Sequence, residues 1–484
     1  MEAGLREKAP WWKRGVIYHI YPRSFKDSNG DGIGDLPGII EKLDYLHWLG
    51  VDAIWLSPIY PSPMVDFGYD VANYTDVDPL FGTLSDFDWL IQRAHQLGIK
   101  VILDFVPNHT SDQHPWFVES RSSQYNAKRD WYIWRDPKPD GSPPNNWLSF
   151  FGGSAWTLDE KTDQYYLHSF LPEQPDLNWH NPQVRDAIYD AMHFWLRRGV
   201  DGFRLDAIFV LLKDTRFRDE PPNPHFDPAK DPPKMALQNI YSENQPELHE
   251  VLRQFRSIVD NYPGNRVTIG EVSYYLSFEE LVKFYGNNDE LHLPGNFKLL
   301  LLPWQAEKIG KYVLEYEKAL PDFAWPNYVL SNHDNPRIAY RVGAYQARLA
   351  AMLLLTLRGT PFIYYGDEIG LTGDHVRQQH SKDPFGERFP NWGRDRARTP
   401  MQWNSERYAG FSNAEPWLPV APDYKLVNVE TYKRKRDSIL QLYHQLIHLR
   451  RHYAALQLGT YHALNQVVKD CLGYYRQFRD EKIF

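Results

Sequence analysis

Acidic and histidine side chains recur at one kind of place in this sequence, just past short apolar runs. Asp104 and His109 follow one run; Arg204 and Asp206 close the next, then comes Glu271, and finally His333 with Asp334. A lone carboxylate in such a position is ordinarily a helix cap or half of an ion pair. Three that converge beside an arginine and two histidines form a different object, because clustered like charges raise one another's cost of ionisation. Cleavage of a glycosidic bond needs such a set. One carboxylate attacks the anomeric carbon, and a second, still protonated, donates to the leaving oxygen. Where configuration is retained, the two lie about 5 to 5.5 Å apart.

Convergence requires a scaffold that brings the ends of all these runs to one place. Apolar runs of strand length (Val16 to Tyr21, Val51 to Ser57, Lys100 to Val106, Gly202 to Ile208, Val267 to Val272, Tyr328 to Asn332, Phe362 to Tyr365) alternate with amphipathic stretches of helix length. The helical stretches are Ile39 to Leu49, Phe87 to Leu97, Ala187 to Arg198, Glu247 to Asp260, Tyr345 to Arg358 and Arg436 to His452. This alternation is the signature of βα units around a parallel sheet. A weaker run near Asn296 to Leu300 brings the strands to eight, which predicts an α/β fold, a (β/α)8 TIM barrel with its active site on the loops after the strand C-termini. The rhythm breaks into a Pro, Trp and Gly-rich stretch between Asn108 and Asn181, which reads as an inserted subdomain. The expected divisions are residues 1–107 and 181–455 for the barrel, 108–180 for the insertion, and 456–484 for a short or truncated C-terminal β domain.

Composition sets outer limits. A formal charge of -8, without a long Lys/Arg run, argues against nucleic acid as a partner. The lone Cys471 forbids an internal disulfide, and no apolar stretch of leader or membrane-span length precedes Trp11, so the expected location is cytoplasmic, with no membrane partner. With 17 Trp and 31 Tyr at a mean hydropathy of -0.58, the chain has aromatic faces to spare for packing against sugar rings, although a large aromatic core explains them equally.

The segments carrying the acids resemble those of the α-amylase family of glycoside hydrolases, and within it the α-glucosidase and oligo-1,6-glucosidase group. The matching segments are Asp104-Phe105-Val106-Pro107-Asn108-His109-Thr110, Gly202-Phe203-Arg204-Leu205-Asp206-Ala207, Gly270-Glu271-Val272, Ser331-Asn332-His333-Asp334 and Gln174-Pro175-Asp176-Leu177-Asn178. The similarity runs from about Trp11 to His452. It implies Asp206 as nucleophile, Glu271 as general acid/base, and Asp334 as holder of the sugar hydroxyls. His109 and His333 would donate hydrogen bonds to the bound glucose. Arg204, two residues before Asp206 on the same strand face, can keep that carboxylate ionised. Neither histidine has a partner at metal-site spacing, which argues against catalytic zinc. The resemblance also implies that Asp66 and Arg398 meet at the far end of the glucose and close the pocket, that Tyr69 stacks on the sugar, and that Phe151, Phe170 and Gln174 wall the entrance. A pocket closed behind one sugar cuts from the chain end. Ala207 is small where a valine in this group goes with α-1,6 preference, so the expected substrates are short α-1,4 glucosides, or α-1,4 and α-1,6 glucosides alike.

The resemblance further implies a structural Ca2+ or Mg2+ in the loop Asp27-Ser28-Asn29-Gly30-Asp31-Gly32-Ile33-Gly34-Asp35, held by Asp27, Asn29, Asp31, the Ile33 carbonyl and Asp35. The loop alternates oxygen ligands as calcium loops do, with Gly32 at the sharp turn, but Gly38 stands where an EF-hand has glutamate. No organic cofactor is expected. The expected partner is an oligosaccharide or disaccharide, and the expected assembly is a monomer or homodimer. Two rivals remain open. A transglucosylase or a sucrose or maltose isomerase of the same family shares every catalytic residue. A non-catalytic relative would show a membrane span and eroded carboxylates, and the sequence has neither.

Overall fold

The computed structural model describes residues 9–389, 392–464 and 469–484. Eight parallel strands form one sheet. In chain order its strands are β1 (Ile17–Ile20), β2 (Ala53–Leu56), β3 (Lys100–Phe105), β7 (Gly202–Leu205), β8 (Val267–Gly270), β9 (Leu293–Pro294), β10 (Asn327–Val329) and β11 (Thr360–Tyr364). They lie in the order β10-β11-β1-β2-β3-β7-β8-β9. The seam between β9 and β10 carries no backbone ladder among the described residues and is stitched by the Asn327 side chain. The Asn327 amide donates to the Pro294 carbonyl (2.6 Å), and its Oδ1 accepts from the Asn296 N–H (3.1 Å).

Every residue of β1, β2, β7, β8 and β11 is buried, as expected of a parallel sheet covered on both faces. The period of two divides them. Ile17, Trp55, Ile102, Ile269, Val329 and Phe362 pack together inside the barrel, while Tyr18, Ile54, Leu103 and Phe203 pack against the outer helices. The inward side of β3 runs from Ile102 to Asp104 and that of β7 reaches Arg204, so the core turns polar where the strands end.

The helices begin and end where local chemistry dictates. Asp35 caps Leu36–Leu49 by accepting from Gly38 N–H, and Gly50 ends it at φ 97°. Thr83 and Asp86 form a capping box at Leu84–Gln96. Asn181 caps Pro182–Arg197. The helix Ala306–Ala319, unread in the sequence, completes the outer ring beside β10.

One strand needs correction. The run near Asn296 to Leu300 is not extended: Lys298–Leu301 is a helical turn, and the sixth barrel strand is the two residues of β9 just before it. Within the interruption after β3, β4 (Trp134–Arg135), β5 (Trp156–Asp159) and β6 (Gln164–Leu167) form an antiparallel sheet in the order β4-β6-β5. Near the C-terminus β12 (Thr460–Ala463), β13 (Tyr474–Phe478) and β14 (Glu481–Ile483) form a second small antiparallel sheet. Among the described residues no helix is long and apolar enough to cross a membrane.

Candidate active site

The strand ends β3, β7, β8 and β10 deliver the expected acids to one mouth, organised around Arg204. This guanidinium is 3% exposed and contacts three carboxylates: Asp104 Oδ1 at 2.8 Å, Asp206 Oδ1 at 2.5 Å and Glu271 Oε2 at 2.7 Å. Burial pushes Asp206 well above the usual carboxylate range; Arg204 pulls it down, and the neighbouring Glu271 and Asp104 charges push it up again. Burial likewise pushes Asp104 up to about 6 against the pull of Arg204. Burial and the mutual repulsion of the acids thus oppose full ionisation of Asp206 and Asp104, and Arg204 favours it.

The residue after Asp206 is strained in a useful way. Ala207 lies in the left-handed region at φ 44°, ψ 39°, which turns its N–H onto Glu271 Oε2 at 3.0 Å. Its methyl is buried with Phe209 and Val210 against Phe150 and Phe170. The strand that carries Asp206 and the Glu271 carboxyl are therefore linked through backbone as well as through Arg204.

A second layer of contacts fixes Tyr69, His333 and His109. The Tyr69 hydroxyl donates to Asp104 Oδ2 (3.0 Å), so it accepts from His333 Nε2 (2.7 Å), and its ring stacks on that imidazole at 5.2 Å. His333 then carries its proton on Nε2, which also faces Asp334 Oδ2 at 3.1 Å. Burial, then Arg398, holds His333 well below the usual histidine range, so it is neutral. Burial also brings His109 down to about 4. Its Nδ1 accepts from the Asn108 amide (3.1 Å), leaving Nε2 to donate to the Tyr69 carbonyl (3.1 Å). Gln174 reaches Asp66 at 3.2 Å, and Phe170 lies 5.0 Å from the His109 ring.

Asp66 and Arg398 do not form the direct pair expected of them. Asp66 Oδ1 is bound by Arg394 Nη2 at 2.8 Å, whereas the buried Arg398 donates from Nη2 to Asp334 Oδ1 (3.2 Å) and from Nε to the His333 carbonyl (2.9 Å). The two arginines are four residues apart around a short helical turn, Asp395–Ala397, and Arg394 is the one that extends across the mouth. It also reaches Asp334 Oδ1 at 3.3 Å and lies 5.2 Å from the centre of the Phe151 ring.

Three more residues join the site that residue spacing did not single out. Asp383 binds Arg394, and the Tyr274 hydroxyl accepts from Asn332 (3.2 Å) and Asn335 (3.3 Å). Buried Lys213 bridges Asp176 (2.7 Å) and Asn108 (2.9 Å), tying the loop after β7 to the loop after β3 and to the inserted segment. The Asp-Pro pair at Asp383 was a legible helix-start signal; Lys213 and Tyr274 carried no local signal.

The Asp27–Asp35 loop has the chemistry of a hard-cation site, with only oxygen donors and three carboxylates. Those carboxylates already organise the turn. Asp27 accepts from Gly30 N–H (2.7 Å), Gly32 N–H (2.9 Å) and Ser412 (2.5 Å), Asp31 from Ile33 N–H (2.8 Å), and Asp35 from Ser28 N–H (3.1 Å). Gly32, at φ +90°, is required here, since a Cβ would lie 2.2 Å from the Glu415 carbonyl oxygen. Among the described residues no three acidic, histidine or cysteine side chains are already grouped to hold a metal.

Comparison with known proteins extends this picture. Residues 19–459 match the family model described as alpha amylase, catalytic domain. A probable alpha-glucosidase of Rhizobium meliloti (strain 1021) is 45% identical, with 99% of this chain and 89% of that protein covered. An oligo-1,6-glucosidase of Parageobacillus thermoglucosidasius is 41% identical, with 93% and 85% covered. Among solved structures, an alpha-glucosyl transfer enzyme, XgtA, superposes with a TM-score of 0.93 at 43% identity, covering 98% of this chain and 90% of its own.

Proposed function

Because the chain belongs to the α-amylase catalytic-domain family, we propose that it is a retaining α-glucosidase that releases glucose from the non-reducing end of short α-glucosides. The observation that carries this reading is the single Arg204 fork holding Asp206 and Glu271 together. One guanidinium bridges only close neighbours, which fits the spacing of about 5 to 5.5 Å in retaining enzymes better than the roughly 6.5 to 9.5 Å of inverting ones.

In the proposed reaction an Asp206 oxygen attacks the anomeric carbon as the bond to the leaving oxygen breaks, and Glu271 transfers its proton to that oxygen. The product is a covalent glucosyl ester on Asp206. Glu271, now a carboxylate, takes a proton from water, whose oxygen attacks the same carbon and expels Asp206. Two inversions leave α-glucose. Asp334 accepts from the sugar hydroxyls, and neutral His109 and His333 donate to them by turning their Nε2–H groups away from Tyr69 when the sugar binds. The first step needs Glu271 protonated and Asp206 ionised, and Arg204, which touches both carboxyls, holds them side by side for it.

Small Ala207 beside Phe150 and Phe170 supports room on the leaving-group side, hence α-1,4 or mixed α-1,4 and α-1,6 use. The same covalent intermediate could be passed to a sugar instead of water. The likeness to an alpha-glucosyl transfer enzyme favours transfer as a second reading. We further propose that Ca2+ or Mg2+, when bound, uses Asp27, Asn29, Asp31, the Ile33 carbonyl and Asp35, and stabilises the loop after β1 without taking part in the chemistry. The exposed single Cys471 agrees with a reducing, cytoplasmic setting.

Product analysis after separate incubation with maltose, isomaltose, sucrose and soluble starch tests the reading. Free glucose from the short substrates, with starch nearly untouched, is expected. Rapid fragmentation of starch overturns end-directed cleavage, and isomerised or lengthened sugars without free glucose overturn hydrolysis in favour of transfer.

A further inference from the structure

We propose that Asp383 is a positioning residue that sets the enzyme's preference for an unsubstituted terminal glucose, by holding Arg394 across the far end of the pocket; this rests on the α-glucosidase reading above. Asp383 is fully buried and touches no part of the reacting centre. Its carboxylate receives Arg394 from three directions: the backbone N–H at 2.7 Å, Nε at 3.1 Å and Nη2 at 2.7 Å. That fork fixes the guanidinium plane, which lysine in place of arginine could not reproduce.

The remaining reach of Arg394 is what matters for the substrate. Nη2 goes to Asp66 Oδ1 and Nη1 to Asp334 Oδ1, so one guanidinium joins the loops after β2 and β10. Asp66 is the acid that the family resemblance puts at the far end of the glucose, and Asp334 accepts from the sugar hydroxyls in the proposed function. Arg394, lying between them, stands where a further sugar or a substituent on the terminal hydroxyl would have to pass.

The segment that carries Asp383 is itself docked on the inserted region. Phe385 packs edge-on against Phe151 at 5.3 Å, Arg388 donates to the Phe151 carbonyl (3.4 Å), and a Cβ on Gly152 would lie 2.5 Å from the Phe389 ring. Burial alone would raise the Asp383 carboxyl, but Arg394 outweighs it and holds the group below the usual range, so the clamp stays ionised wherever the enzyme works. Asp383 also accepts from Phe385 N–H at the start of the short helix Pro384–Arg388, which couples the wall aromatics to the arginine.

The test compares maltotriose with its analogue methylated on O4 of the terminal non-reducing glucose. Wild-type protein should cleave the first and reject the second. Asp383→Asn should raise KM for maltotriose about tenfold with little change in kcat, and should raise the methylated-to-free ratio of kcat/KM at least about tenfold. Arg394→Lys, which keeps the charge but loses the fork, should do the same, and it serves if Asp383→Asn does not fold. A purely structural role would lower activity on both sugars in parallel, and an unchanged ratio in either folded variant overturns the proposal. Cleavage of the methylated sugar by wild-type protein overturns the end-directed reading itself.

Discussion

The two ends of the pocket are built from the same parts and behave differently. At the reacting end Arg204 gathers Asp104, Asp206 and Glu271; at the far end Arg394 gathers Asp66, Asp334 and Asp383, with Arg398 as a second cation on Asp334. Three acids share one arginine in the first cluster and two in the second. Burial pushes up Asp206 and Asp104 at the reacting end and Asp66 at the far end, whereas Asp383, though buried too, is held down by Arg394 and serves as an anchor. Which buried acid serves as an anchor is decided here by how directly a guanidinium is forked on it, as Arg394 is on Asp383.

The largest effect should come from removing the attacking carboxylate. Asp206→Asn is expected to lower kcat on the order of 10^4-fold, with Tm unchanged or raised, because one of the crowded acids is gone. A drop in both kcat and Tm would mean that the reacting cluster is as structural as the far one. The paired substitutions Arg204→Lys and Arg394→Lys separate the ends next. The first should lower kcat about 10^2- to 10^3-fold, while the second should act mainly on KM; equal kinetic signatures would erase the distinction.

Ala207→Val addresses the leaving-group side, between the ends. The ratio of kcat/KM for maltose over isomaltose should fall by about 10- to 200-fold. An unchanged ratio would remove Ala207 from the linkage account.

The smallest effect concerns Glu243, outside both clusters, whose largely buried carboxyl lies 3.8 Å from the Lys234 ammonium. Burial raises it to about 7. The folded state thus binds this proton more tightly than the unfolded chain, so the contribution is complete at acidic pH and lost as pH rises through about 7. Glu243→Gln should flatten the decline of Tm between pH 5 and 8 by about 1–2 °C, measured by calorimetry. A steeper decline would contradict the assignment.

Much of this was legible in the chain because strand-end positions in a parallel barrel have only one place to go. Asp206, Glu271 and Asp334 follow strands whose apolar runs are unambiguous, and the mouth assembles them without further instruction. β9 was misplaced because two residues, one of them proline, show no period, and the neighbouring Lys298–Leu301 run is as apolar as a strand. The helix Ala306–Ala319 went unread; its Gly310 and frequent charges blur the apolar stripe. At the far end, Arg394 and Arg398 sit in the same loop, and only the turn between them decides which one spans to Asp66. Sequence spacing places residues on loops and leaves open which side chain reaches across.

The most direct measurement is to trap the covalent intermediate with 5-fluoro-α-glucosyl fluoride and to locate the added mass by peptide mapping. The fluorine slows both steps, so the ester accumulates when its breakdown is slower than its formation. A single fluoroglucosyl group on Asp206, formed at the rate of activity loss, is the predicted result. A label on Glu271, on Asp104 or on Asp334 would contradict the assignment of Asp206 as nucleophile.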